Sequence, residues 1–338
     1  MCYNIAVVKK NYEKYTKQSE ELKMSANVES MFYYNLDENG NRFVPWHGLG
    51  IAVDKCLNSA EALTAAGLDW QVVPKPVFDG NGNQIPNYIA NTRSLDGTVL
   101  GIVTNRYSIV QNQDAFSFTD NLIGDDVKYV TAGSLNNGRK IWLLAQLPKE
   151  KILGDDISPY LCFTNTHDGT GAVKVCCTPI RVVCNNTLNL ALSTATRSWS
   201  TRHTGDISSK LFEAERTLEL THEYMKQLNE SAEKYCDIKV DEEALMQIVG
   251  TLFPYNENSS ERTKDTQKQN REKFLTCYVA PDIAQFMGTA WGVINAASDF
   301  ATHVTPNRMT KKYAENNWNR VLNGHPIIDK VVSAVNHI

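Results

Sequence analysis

The sequence lacks paired cysteines and long apolar runs, and each absence excludes a class of protein. Its eight cysteines are scattered over 338 residues without a CxxC pair, so a zinc site built from paired thiolates is not expected. Reduced, mostly buried thiols fit this scatter better than disulfides do. No stretch approaches the ~18 uninterrupted apolar residues of a membrane-spanning helix, and the start of the chain lacks the features of a signal peptide. We therefore expect a cytoplasmic protein with no membrane partner.

Short motifs that carry known chemistry are also missing. The chain contains no HExxH, no GxSxG, no P-loop and no GxGxxG ahead of a helix, which removes the signatures of many hydrolases and nucleotide-binding enzymes. The stretch NTHDGTG, residues 165–171, does place a histidine beside an aspartate. Asp-Gly is a strong turn signal, however, and adjacent strand residues face opposite ways. A hairpin turn is the preferred interpretation, with acid–base chemistry at His167 and Asp168 as the alternative.

The composition is that of a globular protein, with 42% hydrophobic and 21% charged residues. Between residues 69 and 181, apolar stretches alternate with Gly, Asn and Asp in the pattern of hairpin-joined strands. These turns are too short for parallel crossovers, so the pairing is expected to be mostly antiparallel. The predicted fold class is α+β, a β-meander sheet with packed helices, followed by a long helix and a helical C-terminal region.

An apolar seam defines the long helix. From Ile207 to Tyr235 the apolar residues recur every four and three positions, which predicts a helix of roughly thirty residues that packs against the sheet or the later helices, with self-association as the alternative. Residues 254–272 are almost devoid of apolar groups, which predicts either a mobile loop or a solvated helix and marks a boundary. The predicted division is an N-terminal extension at 1–26, the α+β sheet domain at 27–205, the long and following helices at 206–253, a polar linker at 254–272 and a helical C-terminal region at 273–338.

The formal net charge of −4 conceals an uneven distribution along the chain. Five basic residues face one aspartate between Thr170 and Lys210, whereas thirteen acids face six basic residues between Asp206 and Arg262. The overall charge therefore says little about a polyanionic partner. The basic stretch, in contrast, matches the kind of local stripe that binds one.

The stretch ATRSWSTRHT, residues 195–204, is the strongest site candidate. Phosphates are bound by Lys and Arg with help from Ser, Thr and Asn, and an exposed aromatic ring stacks on a base. Arg139 and Lys140 on an Asn-Asn-Gly hairpin, with Lys174 further along, extend the same basic pattern. The alternative is a solvated edge strand whose charges prevent aggregation.

Six ordered motifs carry a resemblance to a known family. They are MFYYNLDENGNRFVPWHGLG, EALTAAGLDWQV, YIANTRSLDGTVLGIVTNRYSIVQN, AGSLNNGRKIWLLAQL, YLCFTNTHDGTGAVKVCCTPIRVVCNNTLNLAL and RHTG. Together they resemble the phage/plasmid-like protein family, a domain of unknown function carried by bacteriophages and mobile plasmids. The order of elements is also similar to that of single-strand annealing recombinases, the class of Red-beta, Erf and the Rad fifty-two protein.

The resemblance implies a DNA-binding protein of a mobile element, located in the host cytoplasm if it is phage-encoded. Annealing recombinases form rings or filaments and hold single-stranded DNA in a basic groove without a cofactor, so a homo-oligomer and no catalysis are expected. Trp199 would stack on bases, Asn185 and Asn186 would add polar contacts, and His203 lies beside them. The nucleic-acid-binding residues expected are Arg139, Lys140, Lys174, Arg181, Asn185, Asn186, Arg197, Trp199, Arg202 and His203.

Two other classes of function remain open from the sequence. The first is an enzyme acting on nucleic acid or a nucleotide, with His167, Asp168, Arg181 and His203 converging in one pocket. The second is a phage interaction protein, either a virion component or an inhibitor of host defence, which would present an exposed apolar patch and no affinity for DNA.

Overall fold

The chain is described by a computed structural model with several gaps. The described residues are 30–33, 35–36, 42–43, 51–53, 58–115, 128–181, 198–206, 216–304, 316, 320 and 324–338. Antiparallel sheets fill the first part and helices the last. The predicted α+β class with a helical C-terminal region is therefore confirmed. The N-terminal extension at 1–26 lies outside the described residues.

Thirteen strands are described, in three sheets. They are β1 Ser30–Tyr33, β2 Asn35–Leu36, β3 Arg42–Phe43, β4 Ile51–Val53, β5 Val72–Phe78, β6 Gln84–Arg93, β7 Val99–Thr104, β8 Lys128–Leu135, β9 Lys140–Gln146, β10 Glu150–Ile152, β11 Asp155–Thr166, β12 Val173–Arg181 and β13 Ser198–Thr201.

Six α-helices and one 3₁₀ helix are described. They are α1 Ser59–Ala65, α2 Arg216–Asp237, α3 Glu242–Leu252, α4 Glu261–Tyr278, the 3₁₀ helix Pro281–Phe286, α5 Ala290–His303 and α6 Pro326–Val335. Among these described helices, none is both long enough and apolar enough to pass through a bilayer.

The main sheet has the strand order β13-β12-β11-β9-β8-β1-β4, with β10 paired to β11. Every described pair in it is antiparallel except β1 with β4. The β8–β9 hairpin turns through Asn136 and Asn137, which both have positive φ, as does Gly138. Asn and Gly tolerate this left-handed backbone best, so the Asn-Asn-Gly turn forms where the sequence predicts it.

A second, three-stranded antiparallel sheet, which we call the meander, contains β5, β6 and β7 in chain order. Together with α1 it packs on one face of the main sheet. This first core includes Trp70 and Leu100 from that side and Leu143, Phe163 and Val175 from the main sheet.

The second core joins the helices to the other end of the main sheet. Tyr224, Met225 and Leu228 of α2 are buried in it with Ile157 and Cys177 of the sheet. The part of the apolar seam whose side chains are described thus packs within the chain, as the first interpretation of the seam expects.

The stretch at 254–272, predicted as a polar linker that is either a mobile loop or a solvated helix, is helical from Glu261 onward. After a short turn, α4 begins at Glu261 with the Ser260 side chain as its N-cap. The Arg271 guanidinium donates two hydrogen bonds to the carbonyl oxygen of Phe253 and lies over the Tyr255 ring at 4.4 Å. These contacts join α4 to the end of α3. The scarcity of apolar residues in the first half of α4 therefore reflects a helix face exposed to solvent.

Candidate functional site

Four loops meet at one end of the main sheet, which we call the loop end. They are the β8–β9 turn at 136–139, the β11–β12 turn at 167–172, the segment 202–206 after β13 and the segment 105–108 after β7. Neighbouring strands among β8, β9, β11, β12 and β13 are antiparallel, so the first three loops lie at the same end of these strands. The fourth arrives from the meander, so the loop end joins the two sheets.

Backbone hydrogen bonds hold these loops together. The His167 amide donates to the Arg139 carbonyl at 2.7 Å, which links the two main-sheet turns. The Ser108 amide donates to the His203 carbonyl at 2.9 Å, and the Ser108 hydroxyl donates to the Gly205 carbonyl at 2.7 Å. Each loop is therefore fixed by at least one other loop.

Tyr107 crosses the middle of the loop end. Its hydroxyl donates to the carbonyl oxygen of Thr166, and its ring stacks on the His203 imidazole with centroids 4.5 Å apart. Burial raises the pKa of the Tyr107 phenol far above its ordinary value, and the nearby Asp168 carboxylate adds to that shift. The phenol therefore stays a neutral hydrogen-bond donor at every physiological pH.

His167 is a buried structural group. Its Nε2 lies 3.0 Å from Asn112 Oδ1, while Asn112 Nδ2 donates to the Leu68 carbonyl. An amide oxygen can only accept, so Nε2 carries the proton. Asn91 Nδ2 donates to the His167 carbonyl, and the Trp70 ring meets the imidazole edge-on at 5.5 Å. Burial, with a smaller contribution from His203, lowers the pKa of His167 to about 3, so the ring is neutral at pH 7.

His203 also belongs to the interior of the loop end. Only 4% of it is exposed, and its Nδ1 lies 3.0 Å from the Ser108 carbonyl, to which it donates. Burial lowers the pKa of His203, while the hydrogen bond to Ser108 and the charge of Asp168 act in the opposite direction. His203 supports the loops and is not part of an exposed binding surface.

The catalytic set suggested by the sequence does not converge. His167, Asp168 and His203 lie at the loop end, but Arg181 pairs with Ile157 at the far end of β12. Eight residues separate Arg181 from Val173 at the loop end, about 26 Å of strand. Both imidazoles are buried in structural hydrogen bonds, so the described geometry presents no accessible acid–base pair.

Three arginines surround the buried groups on the outside. Arg106, Arg139 and Arg202 are exposed, and within the described ranges no ion pair joins their guanidinium groups to an acid. From Arg139 to Arg202 the loop end crosses three strand spacings, roughly 14 Å. We call this row of three residues the arginine row. Sequence reasoning missed Arg106, which lies in a short turn whose partners are distant along the chain.

Lys140 and Lys174 lie on one face of the main sheet beside this row. Ile141 and Val175 are buried in the first core, so strand alternation puts both lysines on the opposite face. Burial raises the pKa of the Cys162 thiol, and the neighbouring Cys176 thiol adds a smaller increase. The charges of Lys174 and Lys140 act in the opposite direction. Both ammonium groups are thus close enough to influence the same buried atom.

Trp199 lies apart from these lysines. It pairs with Val175 in the register of β12 and β13, and it packs half-buried against the first core. The sheet therefore separates its indole from Lys140 and Lys174, a consequence of alternation along β13.

The remaining predicted site residues are not placed. Asn185, Asn186 and Arg197 lie outside the described residues, and so does the side chain of Arg181. Of the predicted set, the structure brings together Arg139, Lys140, Lys174, Arg202 and His203. In the part of the chain that is described, no group of three His, Cys, Asp or Glu side chains is arranged to hold a metal ion.

Comparison with known proteins places the chain in a family. A family model described as a domain of unknown function, DUF932, matches residues 99–322, about two thirds of the chain. The matched region runs from β7 to beyond α5 and contains the whole arginine row. No curated protein and no solved structure matches the chain significantly. The chain belongs to the DUF932 family.

Proposed function

We propose that the chain is a single-stranded DNA-binding protein of a phage or plasmid, which anneals strands during recombination or replication. The observation that supports this proposal best is the arginine row, Arg106, Arg139 and Arg202. Its guanidinium groups are exposed and have no ion-pair partner among the described residues. Guanidinium is the side-chain group that matches phosphate oxygens best, because it offers two parallel hydrogen bonds.

The spacing of the row suits a strand of nucleic acid. A span of roughly 14 Å is long enough for the row to contact more than one phosphate of the same strand. Lys140 and Lys174, both half-buried, add positive charge near the row on a sheet face whose Trp142 and Thr164 are buried. The choice of single strands over duplex DNA rests on the resemblance to annealing recombinases.

The hydrogen bonds between the loops favour binding, because loops that are already ordered lose less conformational entropy when a ligand binds. Arg139 is held through the amide of His167, and the neighbours of Arg106 and Arg202 are held by the bonds between Ser108 and His203. A rigid support loses less conformational entropy when a ligand binds, so more of the interaction energy appears as affinity.

The proposal assigns affinity to phosphates and not to bases. Trp199, the stacking residue expected from the sequence, packs against the first core. Phosphate contacts carry no sequence information, so binding should be nearly independent of base sequence.

The test is fluorescence anisotropy with a labelled oligonucleotide at low salt. The variant carries Arg106→Gln, Arg139→Gln and Arg202→Gln, and its control carries Lys226→Gln, Lys234→Gln and Arg262→Gln. The control changes the same net charge at exposed positions on α2 and α4. We expect the arginine-row variant to bind at least about tenfold more weakly, about 1.4 kcal/mol, and the control to bind like the unmodified chain. Equal affinities for the two variants would reject the site.

A further inference from the structure

Exposed apolar side chains are concentrated in the meander. Among the described residues, eight large hydrophobic side chains are exposed, and all but Ile338 belong to the meander. Single exposed apolar residues are ordinary, but a concentration of them marks an interaction surface. The seven are Val73, Phe78, Ile85, Tyr88, Leu95, Val99 and Ile102.

One part of this surface is the outer face of the meander. Thr92 of β6 pairs with Val73 of β5 on one side and with Val99 of β7 on the other. Two residues earlier in β6, Ala90 pairs with Ile102 of β7. The alternate residues, among them Asn91 and Val103, are buried on the inner face. Val73, Val99 and Ile102 therefore share one outer face with the exposed Lys75 and with two buried residues of β6, Ala90 and Thr92.

The other part is a hairpin arm. Beyond the pair between Tyr88 and Thr104, β7 ends, and β5 and β6 continue as two strands closed by the turn 79–83. Residues 84–88 are all exposed, so the arm projects from the body of the protein. Its turn is fixed because the Asp79 carboxylate accepts hydrogen bonds from the Asn83 amide and side chain.

A projecting two-stranded hairpin receives little stabilisation from the rest of its own chain. Isolated hairpins are only marginally stable in water, and three strands or a packing partner are needed for independent stability. Phe78 of the arm and Tyr88 at its base are 55% and 46% exposed. The arm therefore holds apolar surface outward instead of burying it.

The charge of the meander identifies the kind of partner. From Val72 to Thr104 the charged residues are Lys75, Asp79 and the ion pair of Arg93 with Asp96, so the net charge is zero. Surfaces that bind nucleic acid are strongly positive. A neutral apolar surface fits another protein surface of the same character.

The area of the two parts indicates that each copy uses both. The outer face measures about 14 by 23 Å, roughly 330 Å², and the two faces of the arm together are of similar size. Either part alone is far below the ~800 Å² that each partner buries in a standard stable interface. An arm that lies on the partner's outer face buries one of its two faces, roughly 165 Å², so the two parts together bury about 500 Å² per copy and about 1,000 Å² in all, the smallest area expected of a specific interface.

We propose that the partner is a second copy of this chain. In a two-fold dimer the arm of each copy lies on the outer face of the other's meander, so Phe78 and Tyr88 of one cover Val99 and Ile102 of the other. Such a contact is self-complementary and closed, as two-fold symmetry requires. This dimer does not depend on binding of nucleic acid.

The test is the mass of the nuclease-treated chain by size-exclusion chromatography with light scattering. We expect twice the 37.9 kDa of one chain. The double variant Phe78→Asp with Ile102→Asp should elute as a monomer, and Ile338→Asp, an exposed apolar residue outside the meander, should remain a dimer. A monomeric unmodified chain, or a dimer that survives the double substitution, would overturn the proposal.

A photoreactive benzophenone amino acid in place of Tyr88 tests the contact without relying on the double variant. We expect a cross-linked species of twice the chain mass, with its second attachment point between residues 72 and 104. Attachment to any other part of the partner copy, or only to a different protein in a lysate, would overturn the proposed arrangement.

Discussion

The contact between Gly101 and the β11–β12 turn gives a sharp test of how the loop end is built. Gly101 in β7 lies so close to this turn that a Cβ added to it would be 2.4 Å from Asp168 Cα and 2.9 Å from Asp168 Cβ. Both partners are held in place, because Asn91 opposite Gly101 bonds to the carbonyl of His167. Alanine at position 101 must therefore displace backbone, and no flexible side chain is available to move instead.

Such overpacking costs about 1–3 kcal/mol. We expect Gly101→Ala to lower the free energy of unfolding by that amount in equilibrium urea denaturation, with an unchanged dependence on urea concentration. We also expect weaker binding of single-stranded DNA, since the turn supports Arg139 through His167. Gly80→Ala is the matched control, because a Cβ there meets nothing within 4 Å. If the two variants are equally stable, the close approach of the sheets is refuted.

Two further predictions concern the buried groups of the loop end. Burial lowers the pKa of His167 from 6.5 to about 3, so the unfolded chain binds more protons and stability falls as the pH drops through this interval. Thermal melting of His167→Gln should show a shallower decline between pH 6.5 and 4 than the unmodified chain, and equal slopes would contradict this. Tyr107→Phe removes the hydrogen bond to the Thr166 carbonyl and should cost about 0.5–1.5 kcal/mol. A melting temperature equal to that of the unmodified chain would refute this role of the Tyr107 hydroxyl.

Local signals in the sequence were sufficient for the turns. Asn136 and Asn137 adopt the left-handed backbone that an Asn-Asn-Gly hairpin requires, and Gly169 in the turn after His167 also has positive φ. These conformations follow from the residue types alone. Helix α1 also begins at a local signal, because its N-cap Asn58 and Glu61 bond each other's backbone amides in a capping box.

Contacts that are distant along the chain were not predictable in the same way. Arg106 joins the arginine row because Ser108 pairs with His203, 95 residues later. Alternation in β13 fixes which residues share a face with Trp199, but not which face meets the core. The contacts of Arg271 with Phe253 and Tyr255, which join α4 to the end of α3, are likewise tertiary and have no local signal in the sequence.

The salt dependence of DNA binding tests the central claim most directly. Affinity for single strands falls with a slope of about −0.7 in log K against log salt for each phosphate that a cation neutralises. The unmodified chain and the variant of Arg106, Arg139 and Arg202 should therefore differ in slope by about 2, while the variant of Lys226, Lys234 and Arg262 keeps the original slope. Equal slopes of log K against log salt for the unmodified chain and the arginine-row variant would contradict the assignment of phosphate binding to the loop end.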